Sequence, residues 1–225
     1  MRRLLPTITF VVVTALLLVF ALTYDIPEIK VFKFFQDVDQ KIITCEDQNK
    51  ETLETTLEQL QFSVKELINI GQTYDGQTNV TTQFEEYETN YDAVKKYTES
   101  VSVCISKVIE ETNFDKVEKK TKKLSPELLA LANNMVELQQ ERTTKLADLK
   151  TKLDALVNAL ESFEEMFYNT KTSDSVQYFE SVNVAFQEVQ ALHTDYMDTV
   201  QAYYQAKEMY YEQIANKTII DYLFR

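Results

Sequence analysis

The chain has 225 residues, 44% of them hydrophobic, and a formal net charge of −13. That length suits one large domain or two small ones. The acidic excess argues against nucleic acid as a partner, because phosphate binding needs clustered Lys and Arg in surplus, and against broad adsorption to anionic lipid.

Arg2 and Arg3 precede an uncharged stretch from Leu4 to Tyr24, with the first acids at Asp25 and Glu28. A basic start followed by an apolar run is a targeting segment. Two readings of residues 1–23 stand: a signal peptide cut near the small residues Ala21 or Thr23, or a retained anchor long enough for a hydrocarbon core of about 30 Å. Both export the rest of the chain. The first implies a secreted protein, the second a single-pass membrane protein with its N-terminus in the cytoplasm.

From residue 27 onward, punctuation sets the fold class. Two glycines and three prolines in the whole chain leave few places where a helix must stop. Pro27, the pair Gly71 and Gly76, and Pro126 cut the chain at intervals too long for strands and right for long helices. The first helix is expected over about 28–71, with Phe35, Val38, Ile42, Cys45, Leu53, Leu57, Leu60, Val64 and Leu67 on one face and Asn49 as a polar lapse. Ile70 to Val80, holding both glycines, reads as a loop.

A second helix over about 81–123 carries Phe84, Tyr87, Tyr91, Val94, Val101, Ile105 and Val108, continues more weakly through Val117, and ends in a basic run. That run has lysine at 116, 119, 120, 122 and 123, the one concentration of positive charge in an acidic sequence. Cations at a helix C-terminus favour the dipole, by about 0.3 to 1 kcal/mol each at best. The other reading makes Lys116, Lys119, Lys120, Lys122 and Lys123 an anion-binding patch for a specific ligand or lipid headgroup.

Ser125, Pro126 and Glu127 form a helix-start signal for a third helix over about 126–168. Its seam runs through Leu128, Ala132, Met135, Gln139, Arg142, Leu146, Leu149, Leu153, Leu156, Leu160, Phe163 and Phe167 in steps of three and four, mixed in its first half and apolar in its second. A polar stretch from Tyr168 to Ser175 ends it. The last helix, over about 174–222, has one line at Val182, Val189, Tyr196, Tyr203 and Tyr210 and another at Phe179, Phe186, His193, Val200, Lys207 and Ile214. Buried tyrosine needs a partner for its hydroxyl, so that half of the helix is expected at a wetter seam or an oligomer contact, or with its hydroxyls at the rim.

The expected fold is therefore all-α: an elongated antiparallel four-helix bundle, coiled-coil-like in its packing, in a single domain over 27–225. Each helix would be about 60 Å long. Such a bundle gathers the start of the first helix, the basic run, the Ser125 cap and the C-terminal Ile219–Arg225 at one end, and the two polar loops at the other.

No constellation for catalysis stands out. His193, the single histidine, sits in a seam among Phe186, Tyr196 and Val200, so it reads as a packed and pH-sensitive residue rather than a base. A di-metal carboxylate bundle needs Glu-x-x-His pairs, and three residues before His193 is Gln190. Two thiols make no zinc site, and two glycines make no phosphate loop. No enzyme activity, cofactor or metal is expected. Asn79-Val-Thr81 and Asn216-Lys-Thr218 match the N-glycosylation acceptor, which matters in an exported chain.

Cys45 stands 26 residues before Gly71 and Cys104 stands 24 after Val80. An antiparallel hairpin brings them level, and an oxidising compartment pairs them. Closing that loop contributes on the order of 4 kcal/mol on the chain-entropy account. The functional expectation is a non-enzymatic exported bundle that acts through protein contact or self-association, as spacer, stalk or assembly component. The membrane enters only through a retained N-terminal segment. The alternative is an apolipoprotein-like carrier that opens to hold lipid or another apolar ligand.

Overall fold

The computed structural model describes residues 11–16, 18–19, 26–46, 53–111, 114–169 and 173–215, without the side chains of 44–46, 109–111 and 173. Among them every regular element is helical and no strand is present. After a helical stretch at 11–16 come α1 (Pro27–Glu46), α2 (Leu53–Thr73), α3 (Thr81–Glu111), α4 (Phe114–Thr121), α5 (Pro126–Leu160), α6 (Phe163–Tyr168) and α7 (Ser173–Ala215). No described helix is long and apolar enough to cross a membrane. Most of the targeting segment expected at 1–23 lies outside the described residues, as do Asn49, Asn216 and the stretch 219–225. Of that segment, Val11, Val12, Val13, Leu16, Leu18 and Val19 are exposed.

The chain folds into two compact units. One draws on the described parts of Met1–Gln40, Thr112–Gln139 and Ala202–Arg225, and the other on Lys41–Glu111 and Gln140–Gln201. The first unit collects the beginning of α1, all of α4, the beginning of α5 and the end of α7. Its core is Val31, Phe35, Val117, Leu124, Leu128, Ala132, Met135, Tyr203, Ala206 and Tyr210. The second has α2 and α3 packed together with the later part of α5, α6 and the earlier part of α7. Leu57, Leu60, Val64, Leu67, Phe84, Val94, Leu153, Leu156, Phe163, Phe167, Phe186 and Val189 lie at its centre. Burying each such side chain contributes about 1.5–3 kcal/mol, so the helical stripe and not helix propensity holds these elements.

The seams expected of α5 and α7 go inside. From Leu128 to Phe167 every seam position is buried except Leu146, which is half-buried. The first line of α7 is buried throughout, with Tyr203 and Tyr210 at 0% exposure. The tyrosines are therefore core residues, not a wet seam: Tyr203 stands 6.2 Å from the Phe35 ring, and the Tyr210 hydroxyl donates to the Glu28 carbonyl at 3.1 Å. Lys207, a seam position that should be apolar, is matched by the buried Asp39 of α1 in an ion pair. Its ammonium also lies 5.6 Å from the Phe32 ring and 5.9 Å from the Tyr204 ring.

Two boundaries differ from expectation. α2 runs on through Gly71 to Thr73, so the loop begins at Tyr74. A mid-helix glycine costs about 1 kcal/mol, which the packing of Ile70 and Tyr74 against the core outweighs. Gly76 then takes φ +79°, and the Asp75 carboxylate accepts the Gln77 and Thr78 amides at 2.9 Å each. Those amides hold the Asp75 carboxyl below its usual range.

The second difference is that the helix expected to run unbroken from 126 to 168 is interrupted at Glu161–Ser162, where neither proline nor glycine stands. The cause lies on other helices. Three phenols donate to carbonyls in the last turn of α5: Tyr87 to Leu160 at 2.9 Å, Tyr178 to Ala159 at 2.6 Å and Tyr91 to Val157 at 3.5 Å. Side chains that take over carbonyls in this way break the helical ladder without a breaker residue. Burial pushes the Tyr178 hydroxyl up to about 12 and the Tyr87 and Tyr91 hydroxyls upward as well, so all three remain donors. Tyr87→Phe leaves the buried Leu160 carbonyl without this donor and should lower the unfolding free energy by about 1–2 kcal/mol in a urea titration. An unchanged midpoint would mean that the phenol is not what satisfies the break.

Candidate functional site

The site is built on α4. Its buried side is Val117, Thr121 and, just past its end, Leu124. That orientation turns Lys116, Lys119 and Lys120, at i, i+3 and i+4, to one common face, and Lys123 joins them from the turn just past the end of α4. With Pro27 and Lys30 of α1 they line an open cleft of about 340 Å³. Lys120 also stands 6.0 Å from the Phe34 ring centroid, and Phe34 packs edge-on against Phe114 at 6.4 Å, so an aromatic floor positions that lysine.

The structure corrects the sequence reading of the patch at two points. Lys122 does not line the cleft; it points elsewhere with Glu118, at 3.8 Å, as an exposed i,i+4 pair. Lys30, which the sequence reading passed over, does. A signal existed: a lysine in the first turn of a helix stands at the positive end of the dipole, where a cation is disfavoured. Lys119 and Lys120, in the last turn of α4, and Lys123 just past it can be ascribed to the negative end of that helix, but that account reaches neither Lys116, in its first turn, nor Lys30. What the arrangement can do chemically is bind negative charge: five ammonium groups converge on one concave surface.

The other sequence candidates are dispersed. His193 is half-buried in the second unit, and burial lowers its pKa against the opposing pull of the Glu54 carboxylate. Cys104 is half-buried and lines a cavity of about 20 Å³ with Ile42, Ile105, Val108, Arg142, Thr143 and Leu146. Ile42 precedes Cys45 by one helical turn. The side chain of Cys45 lies outside the described residues, and no disulfide is formed among those described. Asn79 is exposed at the end of the Tyr74–Val80 loop, and its Oδ1 caps α3 by accepting the Thr81 amide at 3.0 Å. Among the described residues no group of three or more His, Cys, Asp and Glu side chains could hold a metal ion.

No protein-family model, no curated protein and no solved structure matches this chain.

The lowered pKa of His193 gives a pH dependence with a definite sign. The unfolded chain takes up a proton near the ordinary value of 6.5, and the folded chain only at lower pH. Stability contributed by the neutral imidazole is thus complete above 6.5 and is lost as the pH falls through the window below it. The drop in melting temperature between about pH 7.5 and about pH 5.5 should be smaller in His193→Gln than in the parent chain. Equal drops in the two proteins would show that His193 plays no part in the acid response.

Proposed function

We propose that this chain is an exported, non-enzymatic helical-bundle protein that acts through contact, with the lysine cleft as the place where it takes a negatively charged group of its partner. The observation that carries this reading is the convergence of Lys30 with Lys116, Lys119, Lys120 and Lys123 in a chain of net charge −13. A concave surface lined by lysine side chains in an acidic chain favours a negatively charged group of a partner. The four-helix, coiled-coil-like arrangement of the long helices belongs to this proposal. So do secretion or N-terminal anchoring, the Cys45–Cys104 disulfide, and glycans at Asn79 and Asn216. At Asn79 the cap uses Oδ1, while a glycan would be carried by Nδ2, so cap and glycan are compatible.

The carrier reading draws support from apolar side chains left exposed on α7, among them Val176, Val184, Met197, Met209 and Tyr211. The two readings separate with uncharged phosphatidylcholine vesicles. A contact module leaves vesicle turbidity, helicity and hydrodynamic size unchanged. Clearance of the vesicles with a gain in helix would replace the contact reading by the carrier.

The disulfide has its own check. Ile42 and Cys104 border one cavity, which supports the register that pairs Cys45 with Cys104. Protein exported through an oxidising compartment, denatured without reductant, should take up no alkylating label at either cysteine. Label at both would remove the disulfide from the proposal.

A further inference from the structure

We infer that the end of the first unit at Pro27 is a docking surface for an anionic phospholipid bilayer, with the lysine cleft opening onto the headgroups. The inference rests on the anchored form of the reading above and names the partner of the cleft. Three observations carry it.

The first is the tether. No charged residue stands between Leu4 and Tyr24, and Pro27, three residues further on, lines the cleft. An uncharged stretch of that length suits a hydrocarbon core of about 30 Å, and the headgroup layer beyond the core is roughly 5–8 Å deep on each side. Three residues span at most about 11 Å. Pro27 therefore emerges at the outer edge of the headgroups, and the cleft emerges with it. A partner helix about 10–12 Å across would occupy that whole distance, which favours lipid over protein as the source of negative charge.

The second is what stands beside the tether. The Tyr210 hydroxyl donates to the Glu28 carbonyl at 3.1 Å, and the Tyr211 ring lies 5.4 Å from that of Phe32. The last turns of α7 are thus level with the first turns of α1. There Met209 and Tyr211 are 56% and 53% exposed. An apolar side chain and an amphipathic ring left open at this level suit the membrane interface, where tyrosine is enriched.

The third is orientation. Lys119 and Lys123 are exposed, and Lys120 is half-buried with its ammonium 6.0 Å from the Phe34 ring. The chain as a whole carries −13. An anionic surface repels such a chain broadly but attracts lysines held within a Debye length of about 8 Å. The apolar stretch supplies the attachment, and the cleft needs only to turn the unit towards the headgroups.

The test reconstitutes the full chain in vesicles of phosphatidylcholine, alone or mixed with phosphatidylglycerol. Acetylation of each lysine and oxidation of Met209 are followed by mass spectrometry. Phosphatidylglycerol should slow acetylation of Lys119 and Lys123 by about fivefold or more. It should also slow Met209 oxidation and leave Lys65, exposed on α2, unchanged. Salt of about 1 M, where the Debye length is about 3 Å, should remove the protection. Lys119→Gln combined with Lys123→Gln should return Met209 oxidation to its rate in phosphatidylcholine without lowering the melting temperature, which separates lost docking from lost folding. Equal acetylation of Lys119 and Lys123 in the two kinds of vesicle overturns the inference, and so does equal slowing at Lys65. A glutamate-rich peptide keeps the two levels apart. If it protects the cleft lysines while anionic vesicles do not, the bilayer falls as partner and the anionic contact stands. If neither protects them, both fall. Recovery of the chain from the medium without residues 1–23 removes the tether and overturns the inference, while the contact reading stands in its secreted form.

Discussion

The row formed by Val182, Val189, Tyr196, Tyr203 and Tyr210 is buried at every position, and both compact units depend on it. It supplies Val182 and Val189 to one core and Tyr203 and Tyr210 to the other. A helix of 43 residues must bury its apolar line along its length, because an isolated helix gains too little from propensity to persist in water. The same constraint acts on α5, whose seam is covered from Leu128 onward. The remaining elements are the surfaces that do the covering.

Covering so long a seam means taking polar groups inside, and several are answered locally. Lys207 meets Asp39 across the core of its unit. An ion pair out of water gains little net stability, since desolvation offsets the attraction, but a lone charge there would be far more costly, so the pair ties α1 to α7 in one register. The tyrosines act similarly on the backbone. Tyr87, Tyr91 and Tyr178 reach carbonyls at the end of α5, and the turn at Glu161–Ser162 follows from their competition with the helical amides. Phe163 then stacks on Tyr87 at 4.8 Å and meets Phe179 at 5.7 Å, so the seam continues into α6 although the helix does not.

The lysine cleft lies within the first unit. It gathers Lys30 of α1 with Lys116, Lys119 and Lys120 of α4 and with Lys123 just past the end of that helix. Among the other described residues, His193 is half-buried, Asp75 organises a loop, and Cys104 borders a small apolar cavity.

What the sequence determined by itself was everything that follows from periodicity and punctuation. Scarce glycine and proline dictated helices, and steps of three and four named the buried faces of α2, α3, α5 and α7 almost residue by residue, because a helix turns its side chains through a fixed angle. The lysines of α4 were visible as a run, though not which of them share a face with a partner from afar. Only the tertiary structure decided what depends on distant residues. It placed Lys30 in the cleft and Lys122 outside it, gave the Tyr210 hydroxyl the Glu28 carbonyl as its acceptor, and broke the helix at Glu161–Ser162 with phenols more than sixty residues before it and sixteen after it. A carbonyl surrendered to a side chain leaves no mark in the local sequence, and neither does the meeting of like charges from separate helices.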